Sequence, residues 1–172
     1  MAFKTVGSLN PHGGPVLRSH ILANSITFVE EDSVKFASGF VALGTTGALV
    51  AGHIQAIQTA NGVAPTTTGA AGASIGTYVG TYATASDNQT VAKYVGVLDL
   101  SKFTLYTADP NAAIGTTTGS NLLGYYIDLA DEDETSESSA ATTTCQYLIH
   151  GVDPKDSGNH IVSVYESAVF GV

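Results

Sequence analysis

Short β-branched and aromatic runs, separated by clusters of Gly, Ala, Thr and Ser, constrain the fold of this chain more than any other feature. Two such clusters occupy residues 66–74 and 116–120. No stretch of helical length repeats apolar residues at the three- and four-residue spacing of an amphipathic helix. Strands at fairly regular spacing, joined by Gly- and Pro-rich turns, predict an all-β protein: a β-barrel or a β-sandwich with long loops.

The predicted strands fall into two stretches of the chain. The first holds strands at 26–29, 34–36, 40–43, 48–52 and 54–58, with 40–43 and 48–52 as a hairpin around the Gly-bounded turn 44–47. The second holds strands at 77–83, 91–100, 103–107, 122–129, 147–152 and 161–165, with turns at 109–112 and 153–159. Residues 60–76 lie between the two stretches and are predicted to be a loop rich in Gly, Ala and Thr.

An extended arm is predicted for residues 1–24. Residues 10–15 read Asn-Pro-His-Gly-Gly-Pro, a dense turn signal that is incompatible with a helix. The arm either lies on a neighbouring subunit or is a surface loop that leads into the first strand. Residues 25–172 then form a single β domain, with possible sub-lobes at 25–59 and 77–172 joined by the 60–76 loop.

The composition narrows the classes of partner. A hydrophobic content of 44% is enough for a core in a chain of 172 residues. Six Lys and Arg residues against fifteen Asp and Glu residues argue against binding to nucleic acid or to anionic membranes. The chain lacks a signal peptide at its start and an apolar run near the ~20 residues of a spanning helix. We therefore expect synthesis in a cytoplasm, and a protein as partner.

Reactive chemistry is not predicted anywhere in the sequence. The histidines show no spacing typical of metal ligands, and no Lys-Ser or Lys-Thr follows the glycines as a phosphate loop requires. Cys145 has no local base or oxyanion site and is expected to be a small buried hydrophobe. The prediction is a non-enzymatic protein without catalytic, cofactor-binding or metal-binding residues. The five histidines are His12, His20, His53, His150 and His160.

Acidic residues cluster once, in a segment that we call the acidic loop. An EF-hand begun at Asp131 would need glycine where Ser136 stands and glutamate where Thr142 stands, so that motif is excluded. A solvated loop, a docking loop for a basic partner surface and a cation site of another type stay open. The residues of the acidic loop are Asp128, Asp131, Glu132, Asp133, Glu134 and Glu137.

Two segments carry a resemblance to a known family. Residues 34–57 read VKFASGFVALGTTGALVAGHIQAI, and 123–129 read LGYYIDL before the acidic Ser- and Thr-rich loop. The first resembles the small β-barrel capsid decoration, or cement, proteins of tailed bacteriophages. The surrounding residues 94–156 are similar in style to phage virion structural proteins.

The resemblance implies a structural role on a virion. Such proteins have no catalytic centre, bind the outside of the expanded capsid at contacts between major capsid subunits, and often form homodimers or homotrimers. The implied partners are the major capsid protein and further copies of this chain, and the implied location is the capsid surface. The candidate capsid-contact residues lie in the predicted arm: Phe3, Leu17, His20 and Ile21.

Two alternatives remain open at this point. One is another virion component, such as a head-fibre base or a tail-tube protein, which would form fibres or rings by itself. The other is a carbohydrate-binding or adhesin domain, which would need an exposed aromatic platform. The tyrosines available for one are Tyr78, Tyr82, Tyr125 and Tyr126.

Overall fold

The computed structural model describes residues 3–9, 16–59, 81–91, 94–110, 123–136 and 146–165. These ranges hold thirteen strands and one short helix. In chain order they are β1 (Lys4–Ser8), β2 (Leu17–Ile21), β3 (Thr27–Val29), β4 (Ser33–Ala37), β5 (Phe40–Leu43), β6 (Gly52–Thr59), β7 (Thr81–Ala83), α1 (Asn88–Val91), β8 (Tyr94–Asp99), β9 (Thr104–Pro110), β10 (Tyr126–Ile127), β11 (Glu134–Thr135), β12 (Tyr147–Asp153) and β13 (Asp156–Val164).

The strands form two large sheets and one small sheet. The six-stranded sheet has the order β1-β9-β13-β12-β10. Its sixth strand, β11, pairs parallel with the end of β9 at Asp109 and Pro110. The five-stranded sheet has the order β2-β8-β6-β4-β5, and β3 pairs with β7 alone. The all-β prediction is confirmed. Of the two predicted architectures, the described strands form open, sandwich-like sheets and no closed barrel.

Each large sheet carries its own apolar core. Alternation along the strands produces these cores: in β9, Thr104, Tyr106 and Ala108 are buried and the residues between them are half-buried. The first core covers one face of the six-stranded sheet and contains Phe3, Val50, Tyr106, Ala108, Ile127, Leu129, Tyr147, Ile149, Val162 and Val164. The second core lies on the five-stranded sheet and contains Leu22, Phe28, Val34, Val41, Ile54, Ile57 and Leu98.

The described residues of the predicted extended arm, 3–9 and 16–24, contribute one edge strand to each of the two large sheets. Strand β1 pairs antiparallel with β9, and β2 pairs antiparallel with β8, each at the edge of its sheet. Phe3 is 0% exposed in the first core. Strands β8 and β9 follow each other in the chain, so β1 and β2 pair with two consecutive strands that lie in different sheets.

The predicted hairpin between 40–43 and 48–52 is wrong, because 40–43 pairs with a different strand. Strand β5 pairs with β4 rather than with 48–52, and the turn between them is Ser38-Gly39. Both turn residues have positive φ, 51° and 85°, which matches the twist of a two-residue hairpin. Residues 48–51 form no strand, and Gly52 begins β6. The sequence predicts the turn at 44–47 instead, because Gly44 and Gly47 are a stronger local turn signal than the Ser38-Gly39 pair.

Smaller differences concern strand lengths. The predicted strand 122–129 is reduced to Tyr126–Ile127, and β9 continues to Pro110 through part of a predicted turn. The turn of the last hairpin contains only Pro154 and Lys155 between β12 and β13. The loop 60–76, the cluster 116–120, Cys145 and Glu137 lie outside the described residues.

Candidate functional site

A buried group of polar and aromatic side chains, which we call the sheet joint, connects the two large sheets. It consists of Ser33, His53, Asp99, Tyr106 and Tyr147. The Tyr147 hydroxyl of the six-stranded sheet lies 2.8 Å from Ser33 Oγ and 2.9 Å from His53 Nε2 of the five-stranded sheet. The rings of His53 and Tyr106 are 4.0 Å apart between centroids. These contacts hold the sheets against each other.

The carboxylate of Asp99 completes the sheet joint. Its Oδ2 accepts a hydrogen bond from the Tyr106 hydroxyl at 2.8 Å. Its Oδ1 accepts from the backbone N–H groups of Val16 at 3.1 Å and Ser101 at 2.9 Å. These three hydrogen bonds offset the cost of burying the Asp99 carboxylate. Asp99 therefore anchors the start of β2 and the connection that leads into β9.

The sheet joint contains serine, histidine and aspartate, the residue types of a nucleophilic triad, but not the arrangement. Ser33 and His53 both contact Tyr147, and the Asp99 carboxylate contacts Tyr106 instead of the imidazole. All five side chains are buried. Burial lowers the pKa of His53 to about 3, so the imidazole stays neutral near neutral pH. The geometry supports a structural role, and the sequence offered no signal for it because the residues are far apart in the chain.

The described part of the acidic loop packs against the five-stranded sheet. The Glu132 carbonyl accepts a hydrogen bond from Ser33 N at 2.7 Å, and Asp131 Oδ1 accepts from Glu134 N at 3.1 Å. Asp128 Oδ1 accepts from Gln146 N at 3.1 Å. In the described residues, only Asp131 of this loop is exposed. The loop is thus held in one conformation by backbone and carboxylate hydrogen bonds.

Gln146 fixes the acidic loop to the β5–β6 connection. Its Oε1 accepts a hydrogen bond from Leu129 N at 2.8 Å. Its Nε2 donates to the carbonyls of Thr45 at 3.0 Å and Ala48 at 2.6 Å. A buried amide with three hydrogen bonds orders both segments.

Asp32 lies beside the acidic loop and carries a raised pKa. Burial is the main cause, and the nearby carboxylates of Glu132, Asp133 and Asp131 add to it, so that the pKa rises to about 7. Burial, followed by a hydrogen bond that the protonated Asp133 carboxyl donates to Asp131, raises the pKa of Asp133 to about 6. These carboxyl groups are easier to protonate in the folded protein than in the unfolded chain.

Asp32→Asn is expected to become stabilising relative to wild type as the pH rises. The pKa of Asp32 is higher in the folded protein than the ordinary 3.8, so wild type loses stability as the pH rises from about 4 through 7. The asparagine cannot ionise, and its Oδ1 can still accept the hydrogen bond that Val29 N donates at 2.8 Å. We expect the difference in unfolding free energy to shift by about 3 kcal/mol in favour of the variant between pH 4.5 and pH 8.

Urea denaturation of both proteins at the two pH values measures this difference. The titrations of the histidines occur in both proteins and cancel. A difference that is independent of pH, or that favours wild type more strongly at pH 8, contradicts the raised pKa.

Exposed apolar side chains concentrate where β1, β2 and the β8–β9 connection meet. Five of the seven large hydrophobic residues that are exposed in the described ranges lie here. We call this surface the N-terminal edge. It comprises β1, β2 and the side chains of Val6, Leu9, Val16, Leu17 and Phe103. Leu9 N donates to the Phe103 carbonyl at 2.8 Å, and Leu100 N donates to the Val16 carbonyl at 2.9 Å, which holds these segments together.

The four predicted contact residues have different environments. Phe3 is buried in the first core, so its assignment as a surface contact is corrected. Leu17 is 47% exposed on the N-terminal edge. His20 and Ile21 are half-buried, and the His20 ring packs edge-on to Phe36 at 4.8 Å. Phe103, at the start of the predicted strand 103–107, is a further exposed residue of this surface, and no local sequence signal marks it as one.

A shallow groove continues from the N-terminal edge onto the six-stranded sheet. Its volume is about 370 Å³, and its lining is mainly apolar. The lining residues are Leu9, Lys102, Phe103, Leu148, Ser163, Val164 and Tyr165.

The described tyrosines do not form one shared platform for a sugar. Tyr125 packs against the first core, and Tyr82 packs against the second. Tyr126 contacts Tyr165 edge-on at 4.6 Å. Tyr78 lies outside the described residues. The aromatic surface that a carbohydrate-binding domain needs is therefore dispersed among the tyrosines that the structure describes.

Comparisons with known proteins identify no relative of this chain, so its function is inferred from the geometry of the structure. No protein-family model, curated protein or solved structure matches the chain. Within the described ranges, no three His, Cys, Asp or Glu side chains are grouped so that they could hold a metal ion. The helical residues in those ranges are too few to cross a membrane.

Proposed function

We propose that this chain is a non-enzymatic virion structural protein that binds the outside of a phage capsid and stabilises contacts between major capsid subunits. The observation that carries the proposal is the N-terminal edge, where exposed Val6, Leu9, Val16, Leu17 and Phe103 lie along β1 and β2, which are edge strands among the described strands of the two large sheets. Apolar residues concentrated on one exposed surface are typical of a protein-binding surface. The resemblance of residues 34–57 to capsid decoration proteins, and of residues 94–156 to phage virion structural proteins, supplies the class of partner.

The interior supports a binding role over a catalytic one. The Ser, His and Asp side chains of the sheet joint are buried and are committed to contacts between the sheets. A stiff double sheet that presents an apolar edge suits repeated binding on a symmetric shell, because many modest contacts add up through avidity. The capsid therefore meets the N-terminal edge in this proposal, with Leu17 as an anchor.

Leu17→Ser is expected to weaken capsid binding about 10-fold, since losing a buried leucine contact at an interface costs about 1–2 kcal/mol. Leu17 is exposed in the free protein, so its unfolding free energy should change little. The measurement is co-sedimentation of labelled protein with expanded capsids made from the major capsid protein of the same source. Leu123→Ser is the matched control, because Leu123 is 69% exposed and lies before β10, outside the N-terminal edge.

Three results would contradict the proposal. They are absence of wild-type binding to expanded capsids, equal binding by both variants, and rings or fibres formed by the isolated protein. The last would favour a tail-tube or head-fibre component. Counting copies of the chain in particles purified from its source gives an independent measurement, and a decoration protein should be present in many copies.

A further inference from the structure

The outer edge of β2 has free backbone hydrogen-bonding groups in a regular array. The pairing of β2 with β8 runs without a bulge from Leu17 opposite Asp99 to Ile21 opposite Val95. Beyond its two ends, the Val16 carbonyl accepts from Leu100 N at 2.9 Å, and Leu22 N donates to the Tyr94 carbonyl at 3.3 Å. Even-numbered residues therefore bond to β8.

In an antiparallel pair, alternate residues direct both backbone groups to the same side. Leu17 and Ser19 consequently direct their N–H and C=O groups away from β8. No described strand pairs with this side of β2, which is the last strand of its sheet.

The free edge has a defined length. Past the end of β2, Leu22 forms a parallel bridge with Val41, and Ala23 N donates to the Val41 carbonyl at 2.8 Å. Strand β5 thereby covers the far end, and the accessible edge comprises residues 17–20. The edge of β1 differs, because its register with β9 shifts between Thr5 and Gly7. Such bulges guard sheet edges against pairing, so β2 is the more receptive of the two strands.

Basic residues lie at and beside β2 although the chain carries net charge −9, and the Asp99 carboxylate opposite Leu17 is buried and accepts three hydrogen bonds. Arg18 is exposed on β2, and Lys102 follows Ser101 in the connection whose Leu100 bonds to Val16. Burial, followed by the charge of Arg18, lowers the pKa of His20. Two of the six basic residues thus lie at or beside one strand, where they attract carboxylates.

We propose that β2 binds an extended acidic segment of a different polypeptide as an added strand of the five-stranded sheet. The proposal rests on the proposed function, because the N-terminal edge is the same surface, and it names the chemistry of the bound segment. Side chains alternate across a strand, so Leu17 and Ser19 share one face and Arg18 and His20 share the other. The segment that fits alternates apolar residues, which contact Leu17, with carboxylates, which contact Arg18.

The test uses a fluorescein-labelled nine-residue peptide of alternating valine and glutamate, titrated with the full chain and followed by fluorescence anisotropy. Ser19→Pro removes one outward N–H group and leaves the bonds to β8 in place, which an edge strand tolerates. Ser19→Ala is the matched control, since it removes the hydroxyl and keeps the N–H. We expect Ser19→Pro to weaken peptide binding at least 10-fold and Ser19→Ala to change it less than 2-fold. Thermal unfolding of both variants checks that the fold is retained.

Charge is tested with the same peptide carrying lysine in place of glutamate. We expect it to bind at least 10-fold more weakly than the acidic peptide, and Arg18→Gln to remove most of that difference. Equal binding of the two peptides, equal binding by the proline and alanine variants, or no binding of the acidic peptide overturns the proposal. Self-association of wild type that Ser19→Pro abolishes also overturns it, because the occupant would be a second copy.

The two proposals fail separately. Wild type that binds the acidic peptide but not capsids contradicts the proposed function alone. If Leu17→Ser weakens capsid binding and Ser19→Pro leaves it unchanged, only the proposal of strand addition is contradicted.

Discussion

Phe3→Ala should destabilise the protein by about 3 kcal/mol or more, the usual cost of removing a buried phenylalanine. Phe3 is 0% exposed, and its ring stacks on Tyr147 at 5.0 Å and tilts against His53 at 4.7 Å between centroids. The truncation leaves a cavity next to the sheet joint, where both partner rings lose contacts. Urea denaturation followed by far-UV circular dichroism measures the change in unfolding free energy.

Val6→Ala provides the control in the adjoining strand β1. Val6 is 49% exposed, so its truncation should change the unfolding free energy by about 0.5 kcal/mol or less. Equal effects of the two substitutions would contradict the burial of Phe3. Deletion of residues 2–20 is for the same reason a poor test of binding, since it removes Phe3, β1 and most of β2 and should destabilise both sheets.

Gly52→Ala is expected to destabilise by about 3 kcal/mol or more, or to prevent folding, because the new methyl group has no space. A Cβ atom at this position would lie 2.1 Å from the backbone oxygen of Asp99. Gly52 begins β6 beside the end of β8, so relief of the clash requires the strands to separate. Separation of the strands would also displace Asp99, whose carboxylate accepts hydrogen bonds from Val16 N and from the Tyr106 hydroxyl.

Gly47→Ala is the control variant, which measures the effect of a positive φ in the absence of a steric clash. Gly47 has φ of +72°, but no atom lies within 4 Å of its would-be Cβ. Its substitution should cost about 1 kcal/mol, the penalty for a side chain in the left-handed region. The yield of soluble protein and the midpoint of thermal unfolding compare the two variants. A Gly52→Ala protein as stable as Gly47→Ala would contradict the close approach of β6 and β8.

Local patterns predicted the strands in which side chains alternate. The predicted strands 54–58, 103–107 and 147–152 lie within or largely within β6, β9 and β12. The small hairpin turn at Ser38-Gly39 was missed because Gly44 and Gly47 competed as a turn signal. Strand β1 offers no alternation, since all five of its residues are exposed. Its place in a sheet depends on β9, which a local pattern cannot reveal.

The candidate surface was predictable in part. Leu17 was named from the sequence and is exposed on the N-terminal edge, whereas Phe3 was assigned to the surface and is buried. Its burial depends on Tyr147 and His53, distant residues that converge only in the fold. The sheet joint could not be predicted for the same reason. The acidic loop was recognised by composition, but its attachment through Gln146 was not.

The position of β1 and β2 sets the order in which the chain can fold. Lys4 pairs with Thr107 and Leu17 pairs with Asp99, so β1 and β2 are synthesised well before the strands with which they pair. Closing such long loops costs conformational entropy and slows folding. Until β8 and β9 have been synthesised, β1 and β2 have no sheet edge to join. These two strands are therefore expected to dock late, and Phe3 stays unprotected in the growing chain until β9 and β12 have been made.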